Sequence, residues 1–168
     1  MYEVGDFIVY GKNGVCKIDA IGTVDMGDIG SDRMYYTLTP IYSKGSKIFT
    51  PVDNGKVVIR DVISKDEAEK LLREISELEI LTEDNDKQRE KIYKETLNKC
   101  DCREWAKMVK TLCLRNRDRI QQGKKVMAID ERYLHMAEES VFGELALPLE
   151  ITKDKVEEYV EDQMNAIA

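Results

Sequence analysis

The chain of 168 residues has little of what usually builds a chemical site: four cysteines, one histidine, one tryptophan and three prolines. No apolar run approaches the ~18 residues needed to cross a bilayer. The N-terminus also lacks the basic-then-apolar layout of a signal peptide, so a soluble cytoplasmic protein without a membrane partner is expected. Cys16, Cys100, Cys102 and Cys113 belong to a chain too large and too charged to need disulfide staples, and they read as reduced, buried or half-buried thiols. Cys100-Asp101-Cys102 is not a zinc clip, because His135, the sole histidine, is remote in sequence and too few ligands remain. No cofactor is implied.

Catalytic signatures are missing as well. There is no glycine-rich phosphate loop after a strand, no Gly-x-Ser-x-Gly elbow and no His-Glu-x-x-His pair. His135 falls among helix-face residues and reads as a surface or boundary residue. Glu138-Glu139 and Glu157-Glu158 are paired only in sequence, since adjacent helical side chains point about 100° apart. An enzyme would need a site assembled from scattered carboxylates, and the chain reads as a non-enzyme.

What the sequence does contain is apolar residues enough for real cores, at 42%, and a segregated charge pattern. The overall charge of -7 divides into zero over residues 1–60, -7 over 61–86, +8 over 87–125 and -8 over 126–168. A basic band between two acidic ones has two readings. Oppositely charged helices can lie side by side with solvated faces, or the band can be a local phosphate-binding surface. On the second reading, an acidic total keeps DNA binding weak unless something else delivers the protein to DNA.

Hydrophobic periodicity changes near residue 64. Before it, Phe7 to Tyr10, Val15 to Ile21, Met34 to Ile41, Lys47 to Val52 and Val57 to Arg60 alternate like short strands. Asn13-Gly14 is a hairpin signal with positive φ at both residues, Gly22 to Arg33 a loop or hairpin tip, and Ser43 to Ser46 a tight turn. Pro40 and Pro51 mark edges or bulges, because proline cannot donate to a ladder. Five short strands in so short a stretch predict a small, bent, SH3-like barrel over residues 1–62.

From Ser64 onward the pattern is helical, and residues 63–168 are expected to form a compact all-helical domain, giving an α+β protein. Ser64 with Glu67 forms a capping box before the stripe Ala68, Leu71, Leu72, Ile75 and Leu78. Residues 86–100 carry a narrow stripe, Ile92, Tyr93, Thr96, Leu97 and Cys100, which predicts that Lys87, Arg89, Lys91 and Lys94 are largely free. Asp101 with Glu104 starts a third helix, whose stripe includes Trp105 as a packing residue, and Gly123 ends it. A fourth helix carries Leu134, Ala137, Val141 and Leu145, and after Pro148 a fifth begins near Thr152. The linker at 61–64 is short, which favours a defined interdomain geometry.

The opening Gly5-Asp6-x-x-Val9-Tyr10-x-x-x-Gly14-Val15, the Tyr35-Tyr36 and Phe49-Thr50-Pro51-Val52 strands, and the late Phe142-Gly143-Glu144-Leu145-Ala146 resemble the bacterial CarD/CdnL family of transcription regulators, over nearly the whole chain. The resemblance implies a Tudor-like N-terminal domain, similar to the polymerase-interacting domain of transcription-repair coupling factors, that docks on the RNA polymerase β subunit. It also implies a helical domain that contacts promoter DNA, weakly and without sequence specificity, at the upstream fork of the bubble. By position, Lys47, Ile48, Phe49 and Thr50 match the polymerase-contacting edge, with Phe49 either exposed there or part of a barrel core. Arg89, Lys91 and Lys94 match the family's basic DNA-contacting positions. The tryptophan that well-studied members use as a wedge has Arg89 in its place, and Trp105 aligns with an aliphatic core position. The expected function is a monomeric regulator of promoter open-complex stability; the alternative is an interaction adaptor that has lost DNA contact.

Overall fold

The computed structural model describes residues 1–24, 32–43, 45–81 and 85–167. The chain divides into two compact units, Met1–Val62 and Ile63–Ala168.

The first unit is an antiparallel sheet of β1 (Phe7–Tyr10), β2 (Val15–Thr23), β3 (Met34–Pro40), β4 (Ile48–Pro51) and β5 (Ile59–Asp61), in the order β4-β3-β2-β1-β5. Alternation places Ile8, Tyr10, Cys16, Ile18, Tyr36 and Leu38 on one face, where they form the buried cluster, with Ile48, Val52, Val57 and Ile59 packed around it. The expectation of a closed barrel is loosened: β4 and β5 are sheet edges. The strands that would have to join, β4 of four residues and β5 of three, offer little ladder to close a ring. Bending comes from a register shift between Ile18 and Ala20 of β2 against β3.

The first hairpin forms, but not by positive φ at Asn13 and Gly14 together. A 3-10 turn, Gly11–Asn13, carries the reversal, and the positive φ values fall on Gly11 (47°) and Gly14 (71°). Gly11 has a second constraint, since a Cβ there would come within 2.7 Å of Val57 Cγ1. Pro51 ends edge strand β4, whereas Pro40 ends the interior strand β3 opposite Cys16. The last strand begins at Ile59, later than the Val57 that alternation gave. Most of the predicted 22–33 loop and part of the 43–46 turn lie outside the described residues.

The second unit holds α1 (Lys65–Arg73), a 3-10 turn (Ile75–Glu77), α2 (Asp86–Asn98), α3 (Cys102–Gln121), α4 (Ala128–Leu149) and α5 (Lys153–Asn165). Ser64 accepts from Glu67 N while the Glu67 carboxylate accepts from Ser64 N, a complete capping box. Asp101 caps α3 by accepting from Glu104 N at 3.0 Å. Glu104 does not reciprocate and pairs with Lys107 at 3.1 Å instead. Helix α3 stops at Gly123, whose φ of 75° suits glycine. Helix α4 runs through Pro148 and ends in left-handed Glu150. Proline in that last turn has no N–H for the carbonyl four residues back, so the helix forfeits one backbone hydrogen bond just before it ends.

The core of this unit contains Leu71, Leu72, Ile75, Trp105, Met108, Val109, Leu112, Val141, Leu145, Val156 and Val160. Trp105 is 1% exposed and its indole N–H donates to Leu97 O at 3.2 Å, so its polar edge is satisfied within the packing. Phe142 to Ala146 are all buried, and the Glu144 carboxylate accepts from Ile63 N at 3.1 Å, holding the start of the unit. Among the described residues no helix is long and apolar enough to cross a membrane.

Candidate functional site

On the sheet, β4 pairs with β3 through Leu38 opposite Ile48, Thr37 opposite Phe49 and Tyr36 opposite Thr50, and among the described residues no strand pairs with its other side. Alternation separates the four residues of interest. Ile48 turns toward the apolar cluster and Thr50 is 1% exposed, whereas Lys47 lies in solvent and Phe49 is 46% exposed. Between the two readings that the sequence left open for Phe49, its exposure selects the surface one. An aromatic ring on an open strand edge is the combination that strand addition by a partner uses, with backbone groups for affinity and the ring for specificity.

In the helical unit the basic band is not one surface. Arg89 is 7% exposed, correcting the expectation that it is free beside Lys91 and Lys94. Arg89 lies one turn before Tyr93 and so extends the buried stripe Tyr93, Thr96, Leu97 and Cys100 toward the start of α2, with a guanidinium nitrogen 3.5 Å from Met127 Sδ. Arg115 meets the same sulfur at 3.6 Å and donates through Nε to Asp130 Oδ2 at 2.8 Å, while the Tyr93 hydroxyl donates to Asp130 Oδ1 at 3.1 Å. Asp130 is fully buried and ties α2, α3 and α4 together. Burial, reinforced by the neighbouring Asp130 carboxylate, pushes the Tyr93 hydroxyl up to about 12.

Other cations of the band are also used internally. Lys110 is buried and donates to Ser76 O at 2.8 Å and Leu78 O at 2.7 Å, closing the turn after α1, and its desolvation lowers its pKa. Arg117 donates to Met164 O at 2.7 Å and Ile167 O at 3.0 Å, satisfying carbonyls at the end of α5. Lys91 and Lys94 remain at the surface, in one-turn pairs with Glu95 at 4.0 Å and Glu90 at 3.5 Å. Such exposed pairs are worth at most about 0.5 kcal/mol each, so a polyanion can displace the carboxylates. Asp130 gave no signal in the sequence, where it is one carboxylate in an acidic stretch. Arg89 gave one, its spacing from Tyr93.

The thiols fit the expectation of burial. Cys16, Cys100 and Cys102 are buried and Cys113 is half-buried. Burial raises Cys16 to about 11, and burial with Glu138 and Glu161 raises Cys113 to about 12. His135 is exposed on α4. Among the described residues no group of three or more histidine, cysteine or acidic side chains is placed to hold a metal ion.

Residues 2–63 match the family described as CarD-like/TRCF RID domain, and residues 70–161 match the CarD C-terminal domain. Comparison with the curated proteins gives no match.

Proposed function

The chain belongs to the CarD family of RNA polymerase-interacting transcription regulators, whose members are not enzymes, and from that premise we propose that it docks on the polymerase β subunit through β4 and modulates promoter opening through α2. The observation that carries the reading is Phe49, 46% exposed on a strand whose outer edge is open. Lys47 flanks it in solvent; Ile48 and Thr50 serve the dock by holding the strand from inside while their backbone faces the partner. Lys91 and Lys94 supply phosphate contacts that carry little sequence information. Arg89 acts from beneath, fixing α2 against Met127 instead of reaching DNA directly. Docking delivers the protein to the promoter, which offsets the repulsion between DNA and a chain of net charge -7.

The test is binding of the whole chain to a β-subunit fragment, followed by open-complex lifetime with and without the protein. Micromolar or tighter binding and a changed lifetime are expected. Absence of binding sinks the β-subunit dock.

A second reading, a polymerase-bound adaptor without DNA contact, is favoured by the internal use of Arg89, Lys110, Arg115 and Arg117. Retention on forked promoter DNA discriminates the two, because phosphate contacts weaken steeply as salt rises. Salt-sensitive retention supports the DNA contact, and absence of retention even at low salt favours the adaptor.

A further inference from the structure

The sulfur of Met127 sits where α2, α3 and α4 meet, between two cations. Arg89 of α2 reaches it with a guanidinium nitrogen at 3.5 Å and Arg115 of α3 at 3.6 Å. A thioether is among the weakest acceptors a side chain offers, whereas each guanidinium is a charged donor suited to a full oxygen. Both arms are held in place. Arg115 is anchored through Nε to the buried Asp130 at 2.8 Å, and Arg89 is 7% exposed in the stripe it shares with Tyr93. The backbone of Met127 is set as well, since the extended residue opens α4 and its carbonyl accepts from Glu131 N at 3.0 Å, while its side chain makes no cap with the helix amides. Two charged donors are thus built around a weak acceptor.

The residue is also within reach of a reagent. Met127 is half-buried, just after the exposed Lys124 and Lys125, unlike Met108 and Met164 of the core. Cys16 and Cys113, the competing soft nucleophiles, are held protonated by the burial that raises them to about 11 and about 12. A thioether needs no deprotonation to attack a peroxide.

We propose that Met127 is a reversible oxidation site for hydrogen peroxide, and that its sulfoxide oxygen becomes the shared acceptor for Arg89 and Arg115. The sulfur lone pair attacks one peroxide oxygen, the O–O bond breaks, and the departing hydroxide takes the proton of the transferred oxygen, leaving sulfoxide and water. Sulfur gives up two electrons and the peroxide takes them. Negative charge develops on the departing oxygen beside the Arg115 guanidinium, which stabilises it. The new oxygen carries partial negative charge, and both guanidinium groups donate to it in place of the sulfur. Helix α2 is thereby joined more firmly to α3 and α4, the reverse of the disruption that methionine oxidation causes in an apolar core. The site uses neither the polymerase dock nor the phosphate contacts of α2, so its test stands apart from those readings.

The experiment treats the whole chain with hydrogen peroxide, maps the oxidised residues by peptide mass spectrometry and follows urea unfolding through Trp105. Met127 is expected to gain one oxygen while Met108 and Met164 do not. The unfolding equilibrium constant falls about tenfold, as exchange of a weak acceptor for a charge-assisted hydrogen bond requires, and amide hydrogen exchange across Asp86–Asn98 slows. Treatment with methionine sulfoxide reductases restores the starting values. Met127→Leu removes the response while leaving the other methionines to react, and Arg89→Gln, which keeps only a neutral donor, reduces it; either variant serves if the other does not fold. Oxidation confined to the exposed Met1, Met34 and Met136 overturns the proposal. So does an oxidised Met127 that leaves stability unchanged or lowers it, or a shift that persists in Met127→Leu.

Discussion

Strand β4 and helix α2 each combine residues that face inward with residues available to a partner, but they divide them differently. On β4 the division follows the two-residue alternation of a strand: Ile48 and Thr50 inward, Lys47 and Phe49 outward. On α2 the helical period places Arg89 on the buried side with Tyr93, and charge alone does not reveal it. A strand sorts its residues into two opposite sets in the sequence itself. A helix in a bundle advertises only its apolar stripe, and a long cation can join that stripe whenever a neighbouring helix supplies an acceptor.

The sharpest way to break this contrast is at Asp130. Asp130→Ala leaves Arg115 and Tyr93 without their carboxylate in the interior, at a cost of about 3–5 kcal/mol. Urea unfolding followed by Trp105, the single tryptophan and a residue of the helical unit, reads it. A loss under about 1 kcal/mol would mean that the network does not hold the helices.

Phe49→Asp is expected to abolish binding to a β-subunit fragment, a loss above about 2 kcal/mol if the ring is a central contact, while unfolding of the sheet unit moves by about 0.5 kcal/mol or less. Unchanged affinity in the folded variant removes β4 from the dock.

Arg89 and Lys91 sharpen the comparison within one helix. Arg89→Glu places an acid in the interior and is expected to lower stability by about 2–3 kcal/mol. Lys91→Glu with Lys94→Glu leaves stability within about 0.5 kcal/mol and shortens or lengthens the open-complex lifetime. Equal stability effects at both sites would contradict the burial of Arg89.

The smallest expected effect is alkaline. Tyr93 and Cys113 are both raised to about 12, from 10.0 and 9.0. Groups raised in the folded state favour it fully below their unfolded values, and that contribution is lost as pH rises through the folded ones. Stability of the helical unit is therefore expected to decline from about pH 9 toward pH 12. Tyr93→Phe should flatten the part above pH 10, and an unchanged profile would show that the hydroxyl does not titrate in this way.

Much of this was legible before the structure. The capping box at Ser64, the Asp101 cap, the Gly123 stop and the packing of Trp105 are local or periodic signals, and each is found in place. The hairpin at residues 11–14 was legible as a reversal but not as a turn type, because two glycines shared the positive φ values between them. The closed barrel was not, because closure depends on whether two short edge strands meet, a non-local event.

For the candidate sites, alternation by itself determined that neighbours on β4 face opposite ways, since a strand's period does not depend on its partners. It could not determine which set is buried. Only the tertiary structure decided that Phe49 is outward, that Arg89 is inward, and that Asp130 is the buried carboxylate joining three helices. Burial of a charge depends on an acceptor brought from elsewhere in the chain, and the chain between Tyr93 and Asp130 must fold before that acceptor is near.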